Sequence, residues 1–111
     1  MGAMMKHDAA SQLAALRSGA VSARELTAEA PNWIDHLNPG INAIVALRDC
    51  DVLLAEAEAE RAAPAPLQGL PMAIKDLVET AGIVTTYGSP AFRSHVPATT
   101  RWSPACAGQE R

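Results

Sequence analysis

Apolar residues recur at helical spacing through the first third of the chain and then gather into short unbroken runs. Leu13 and Leu16 share one face of "DAASQLAALRSG". This predicts a short helix with Asp8 accepting at its N-terminus and Gly19 taking a left-handed stop. The stretch "SARE", Ser22 to Glu25, has the form of a capping box, with a hydroxyl for the third amide and a carboxylate reaching back. It predicts a second helix with Leu26, Ala30, Ile34 and Leu37 on one side, ending at "LNPG". Pro31 lies inside that helix. Its ring removes one backbone bond and crowds the preceding turn, so a kink or a restart is expected there. "INAIVAL", Ile41 to Leu47, is branched, apolar and bounded by turn signals, and reads as a strand. "DCDVLLAEAEAERAA" reads as a third helix from its Ala, Leu and Glu content. "PAPLQG" breaks it, "LPMAIK" reads as a second strand, Asp76 to Thr80 as a helical turn, and the stretch to Phe92 as loop. The order helix, helix, strand, helix, strand predicts an α/β sheet that has only begun.

Composition narrows the classes of partner. The 111 residues suit one domain rather than two, and 49% of them are apolar, enough for a packed core. A net charge of −3 with nine scattered Lys and Arg argues against nucleic-acid and anionic-membrane partners, which need a clustered basic face. No apolar run approaches the ~18 residues of a membrane helix, and the opening "MGAMMKHDAA" has no apolar core of a signal peptide. Cys50 and Cys106 make neither a Cys-x-x-Cys motif nor a disulfide framework, so a reducing, cytoplasmic location is expected. His7, His36 and His95 lack metal-ligand spacing, and no metal or cofactor is expected. Cys50 opens the third predicted helix with no His or Cys nearby in sequence, and reads as a packed thiol. Trp33 reads as a packing residue rather than a ligand contact.

One charge stands at the end of the second apolar run. Lys75 closes "LPMAIK", and two readings of it stand side by side. Its stem can pack while the ammonium snorkels to solvent. Alternatively it is a buried amine. Burial disfavours the charged form, so the amine can take a proton and activate a serine for attack on an acyl carbon. Asp76 would oppose this if it faced the same way, but neighbours in a strand point to opposite faces. The second reading therefore expects Lys75 to be buried, with Asp76 turned away.

The segment "PLQGLPMAIKDLVETAGIVTTYGSPAF" resembles the lysine-bearing segment of the amidase signature family. That pattern runs close to Pro-Leu-x-Gly-x-Pro, an apolar trio, Lys-Asp and later Thr-x-Gly-Ser. Here its members are Pro66, Leu67, Gly69, Pro71, Lys75, Asp76, Thr86, Gly88 and Ser89. "LRSGAVSARELTAEA" and "IDHLNPGINAIVAL" resemble the family's opening helix–turn–helix and first strand, so the likeness covers roughly Leu13 to Ala98. It implies hydrolysis of a carboxylic amide C–N bond through a Ser–cis-Ser–Lys triad and an acyl-enzyme, with a small-molecule amide as substrate of the full-length parent. Lys75 would be the catalytic base and proton relay, while Gly69, Gly88 and Ser89 would shape the loops around it. The implied fold is a set of N-terminal helices plus the first strands of an amidase-type mixed sheet, incomplete as a domain. Ser89 in "YGSPA" is not read as a nucleophile, because the context is not Gly-x-Ser-x-Gly and Pro90 follows directly.

The family pattern also breaks. No Ser-Ser pair and no Gly-Gly occurs in the chain, so it carries one of the three triad residues and is expected to be inactive alone. After "SHVPA" the tail "TTRWSPACAGQER" has neither helical period nor cap. Back-translated with GC-rich codons, freely chosen at degenerate positions, and shifted by two bases, it reads Asp-Asp-Ala-Leu-Val-Ala-Arg-Leu-Arg-Gly-Ala-Gly-Ala. That resembles the amphipathic helix the family has next, and it points to a frameshift near Ala98, in the gene or in its sequencing. The expected organisation is therefore 1–98 as the N-terminal part of an amidase signature domain and 99–111 as a non-family tail. Two other readings are a non-catalytic interaction fragment using exposed strand edges and a fragment of the amide-transferring subunit of a tRNA-dependent amidotransferase.

Overall fold

The computed structural model describes residues 2–59 and 65–101. Its elements are a 3-10 turn at Met4–Lys6, α1 at Ala9–Ser18, α2 at Ala23–Ile41, α3 at Cys50–Glu58 and a second 3-10 turn at Pro90–Phe92. The third helix was expected to continue to Ala63. Residues 60–63 of it lie outside the described residues, as do residues 102–111 of the tail. Among the described residues no helix is long and apolar enough to cross a membrane.

The helix ends follow their local chemistry. Asp8 accepts from the Ser11 N–H at 2.8 Å and opens α1. Gly19 closes it at φ 75°. The Ala20 N–H donates to Ala15 O at 3.0 Å and the Gly19 N–H to Leu16 O at 3.2 Å, the paired bonds of a Schellman stop. At the start of α2, Ser22 Oγ accepts from the Glu25 N–H at 3.1 Å, and the Ser22 N–H donates to Glu25 Oε2 at 2.8 Å. In α3 Asp49 accepts from the amides of Asp51 and Val52 at 3.0 and 3.2 Å. Cys50, the first residue of that helix, is exposed, which corrects its reading as a packed thiol: α3 turns its opening turn to solvent.

α2 runs through Pro31 without a restart and also through Pro39 and Gly40, so the stop expected at "LNPG" comes later. Pro39 sits in the last turn, where its missing N–H removes a single bond. Asn42 takes the left-handed cap instead, at φ 52°, with its N–H on Asn38 O at 2.6 Å. Asn tolerates that conformation better than most residues with a Cβ. α2 packs against α3 and against the 3-10 turn at Met4–Lys6. Leu26 is buried, Ala30 and Ile34 are half-buried, and Leu37 is exposed. The expected apolar face is thus covered only at its N-terminal end.

The mixed sheet is not present. Among the described residues there is no strand, so the expected fold of helices plus the first strands of a sheet is corrected to helices joined by segments without regular secondary structure. The physical reason is that a strand exists only through bonds to a neighbour. Among the described residues, no backbone bond joins the run Ile41–Leu47 to the run Leu70–Lys75. One edge of the first run is taken by a side chain: Asn38 Nδ2 donates to Ile44 O, and Asn38 Oδ1 accepts from the Ile44 N–H, both at 2.9 Å. The amide thus stands where a partner strand would bond.

A second pairing comes closer to a ladder. The Thr85 N–H donates to His95 O at 2.9 Å, the Gly82 N–H to Pro97 O at 3.1 Å, and the Arg101 N–H to Glu79 O at 3.0 Å. These bonds run residues 79–85 antiparallel to 95–101. Each is a single bond rather than the reciprocal pair of a regular antiparallel ladder. Arg48 ties the first apolar run to this unit, donating from Nη2 to Ala81 O at 2.7 Å and pairing with Glu56.

Candidate active site

The lysine segment enters through a tight turn. The Leu70 N–H donates to Leu67 O at 3.1 Å, and Arg17 Nη2 donates to Pro66 O at 3.3 Å. Gly69 holds φ 84°, and a Cβ there would stand 3.0 Å from Ala23 Cβ and 3.5 Å from Leu16 Cδ1. The turn therefore seats against the corner between α1 and α2 only because this residue has no side chain. Gly69→Ala is expected to cost about 1–2 kcal/mol from the left-handed backbone alone, before any contact with Ala23. The helical far-UV signal should then be lost at a lower temperature than in the parent chain. An unchanged melting curve would mean that the turn does not pack this way.

Beyond Gly69 the chain has no regular secondary structure up to Lys75 and then turns, with the Val78 N–H on Lys75 O at 3.0 Å. This is a single turn where a helical turn over Asp76–Thr80 was expected. The Asp76 carboxylate accepts from the Thr86 N–H at 2.8 Å and from the Thr86 hydroxyl. Thr86 is bound in turn: its Oγ1 accepts from the Gly88 N–H at 3.2 Å and its carbonyl from the Ser89 N–H at 2.9 Å. Tyr87 and Gly88 both take positive φ, 53° and 71°, which folds "TYGS" back on itself. Ser89 Oγ accepts from the Ala91 N–H at 3.3 Å and starts the 3-10 turn. The Lys-Asp and Thr-x-Gly-Ser parts of the motif are thus brought together, ten residues apart in sequence. The hydrogen bonds from Thr86, side chain first and then backbone, hold the Asp76 carboxyl below the usual carboxylate range.

Lys75 itself is exposed. Its expected burial is therefore corrected for this chain: the described residues raise no apolar wall over it. Met72, Ala73 and Ile74, which lead up to it, are exposed as well.

A second group of polar side chains lies beside the turn, and nothing in the sequence singles it out. Glu79 Oε1 accepts from the Tyr87 hydroxyl at 2.6 Å and faces His95 Nε2 at 2.9 Å, while its Oε2 faces Arg101 Nε at 2.8 Å. Tyr87 and Phe92 meet edge to face with centroids 5.2 Å apart, and the His95 ring stacks on Tyr87 at 6.1 Å. Leu77, Val78, Glu79, Tyr87 and Arg101 line a shallow depression of about 210 Å³. Glu79, Tyr87, His95 and Arg101 lie eight, eight and six positions apart with turns between them, so no local sequence pattern announces the group. His95 enters the sequence reading only as a metal ligand that lacks partners.

The Tyr87 hydroxyl, followed by His95, holds the Glu79 carboxyl below its usual range, and the Glu79 carboxylate raises the Tyr87 phenol. Glu79 contributes fully above its unfolded value of about 4.3, and that contribution is lost as pH falls through the lower folded value. Tyr87 contributes below its unfolded value of about 10, and its share is lost as pH rises through the higher folded value. The Tyr87 and His95 ring signals in NMR should accordingly lose their mutual contacts on acidification. Glu79→Gln should remove most of that acid dependence. Ring contacts that persist unchanged at a pH of about 2, well below the ordinary glutamate value, would contradict the assignment.

Known proteins share most of this chain. The family model described as Amidase matches residues 25–100. The chain is 40% identical over 88 residues to a Glutamyl-tRNA(Gln) amidotransferase subunit of Oleidesulfovibrio alaskensis, covering 76% of this chain and 18% of that protein. It is 42% identical over 92 residues to the like-named protein of Thiobacillus denitrificans, covering 78% and 18%. With that of Hahella chejuensis it is 32% identical over 99 residues, covering 85% and 20%. No solved structure matches. The chain spans about a fifth of the length of these curated relatives. With its Lys-Asp and Thr-x-Gly-Ser segments joined and the family model matching from Glu25 to Thr100, the chain belongs to the amidase family.

Proposed function

We propose that this chain is the lysine-bearing part of a domain that cleaves a carboxylic amide C–N bond, with Lys75 as general base and proton relay. The observation that supports this best is the Asp76–Thr86 junction, which joins the Lys-Asp dipeptide to the Thr-x-Gly-Ser turn. In the mechanism a neutral lysine takes a proton through a bridging serine. The nucleophilic serine then attacks the amide carbon, the amine leaves with a proton, and water resolves the acyl-enzyme. Both serines lie outside this sequence, so the 111 residues cleave no amide alone: Lys75 has no nucleophile to activate. The exposure of Lys75 fits a site whose remaining walls belong to other parts of the domain. The substrate is a small-molecule amide, and the setting is cytoplasmic. Residues 1–98 are the N-terminal part of the domain, and since the family model matches through Thr100 the foreign tail expected from residue 99 begins no earlier than Arg101.

A second reading is favoured by the relatives. The three named above are all Glutamyl-tRNA(Gln) amidotransferase subunits, and on this reading the parent domain carries out amide transfer rather than hydrolysis of free amides. One experiment separates these readings from a remnant without chemistry. The gene is sequenced from the codon for Ser94 onward, and the protein of the corrected or shifted frame is produced. That frame should run into a Gly-Ser-Ser-Gly type segment. Its product should cleave simple amides on the first reading, or act only with glutamyl-tRNA as acceptor on the second. A confirmed stop after Arg111, with no serine-glycine segment in any frame, would sink both.

A further inference from the structure

We infer that Thr86 is a positioning residue for Lys75, acting through the Asp76 carboxylate. The inference rests on the reading of Lys75 as the base. Lys75 and Asp76 are adjacent, so whatever fixes the Asp76 backbone also fixes where the lysine stem starts. Thr86 grips both oxygens of that carboxylate, one with its N–H and the other with its hydroxyl. Two bonds from one residue fix both side-chain torsions of Asp76. From the other side the Lys75 carbonyl is held by the Val78 N–H at 3.0 Å. The Thr86 hydroxyl uses both of its capacities, donating to Asp76 and accepting from the Gly88 N–H. The turn carrying Thr86 is anchored in its own right by the Tyr87–Glu79 bond at 2.6 Å.

The arrangement also removes a competitor. A carboxylate next in sequence could pair with the Lys75 ammonium and favour the charged amine, the wrong state for a base. Thr86 engages that carboxylate instead. Among the described residues Lys75 forms no ion pair. Of the influences on the Asp76 carboxyl, the hydrogen bonds from Thr86 are the largest and the Lys75 charge the least. Thr86 therefore does two things for the lysine: it sets the direction of the backbone and keeps the neighbouring negative charge occupied.

The test uses the longer protein of the corrected frame, in which this segment is expected to be stably folded, and needs no catalytic activity. Asp76 is titrated by carbon NMR in the parent chain, in Thr86→Ser, which keeps the hydroxyl, and in Thr86→Val, which removes it. In parallel the acylation rate of the Lys75 amine by a succinimidyl ester is followed against pH, with the site read by mass spectrometry. Asp76 should titrate below the ordinary aspartate range in the parent and in Thr86→Ser, and measurably nearer to it in Thr86→Val, where the Thr86 hydroxyl bond is gone and the backbone N–H bond remains. Released from the hydroxyl in Thr86→Val, the Oδ2 side of the carboxylate should pair with Lys75 and move its labelling profile to higher pH. Well below the midpoint of the profile this slows labelling by about 1.5- to fivefold, the range of an exposed ion pair, whereas Thr86→Ser should leave the profile in place. An Asp76 titration that ignores Thr86→Val overturns the proposal. So does a shifted Asp76 with an unmoved Lys75 profile, since Thr86 would then support only the turn. Should Thr86→Val unfold the turn, an ordinary Asp76 titration in the parent or in Thr86→Ser still overturns it. Failure of the catalytic reading shows elsewhere: a longer protein that stays active with Lys75→Met sinks that reading and leaves the measured clamp intact.

Discussion

Lys75→Met in the longer protein of the corrected frame is expected to lower kcat/KM for amide cleavage by a factor on the order of 10⁴ or more, with KM little changed. Members of a nucleophile–base unit fail together, so losing the base costs nearly as much as losing the nucleophile. As the proposed base, Lys75 would touch the proton in flight rather than the bound substrate, so the loss should fall on kcat. Lys75→Arg should be almost as damaging, because a guanidinium does not give up its proton near neutral pH. The 111-residue chain should show no cleavage with or without the substitution. Steady-state assays of both lengths, each with a folding control, check the expectation. A longer Lys75→Met protein with more than a tenth of the parent rate would remove Lys75 from the mechanism.

The second large effect concerns folding. The 111-residue chain alone should unfold over a broad temperature range, bind a hydrophobic dye at room temperature and associate at micromolar concentration. Among the described residues Leu26 is the one fully buried large side chain. Ile41, Val45, Leu77 and Val96 are all more than half exposed, and Leu47, Met72 and Ile74 in the two apolar runs are exposed as well. Burial supplies about 25 cal/mol per Å² of apolar surface, and ordering the backbone costs about 1–2 kcal/mol per residue. A chain with so little buried surface has small means to offset that cost. Exposed apolar runs with unpaired backbone also invite pairing between copies. Calorimetry, dye binding and sedimentation test this together. A sharp cooperative transition of a monomer would refute it. The longer protein should give that sharp transition and lose the dye binding.

Much of the local structure is legible in the sequence because it is local. Asp8, Gly19, Ser22 with Glu25, and Asp49 make their bonds within a few residues of themselves, so a short window contains both partners. The end of α2 escapes such a window because Pro39 and Gly40 are strong stop signals in isolation. In place, Asn42 supplies a later cap, and Pro39 forfeits one bond that the helix can spare. The junction of Asp76 with Thr86 is half legible. Both residues stand in the family pattern, but their spacing of ten gives no hint that they touch. Glu79, Tyr87, His95 and Arg101 are not legible as a group, because only the antiparallel course of 79–85 and 95–101 gathers them.

The two apolar runs show where local information ends. The branched residues of Ile41–Leu47 and Leu70–Lys75 read as strands, yet Ile41 closes α2, Asn42 is left-handed, and neither segment forms a ladder. Their pattern records suitability for a sheet, whereas a sheet requires partners. The helices, their caps and the amidase kinship of the lysine segment are written in the chain itself, because each depends on residues near one another along it. Three outcomes come from contacts between distant segments: the two runs do not pair with each other, Lys75 is exposed, and Thr86 rather than Lys75 holds Asp76. They depend on which remote groups come within hydrogen-bonding reach, and spacing along a chain does not encode that.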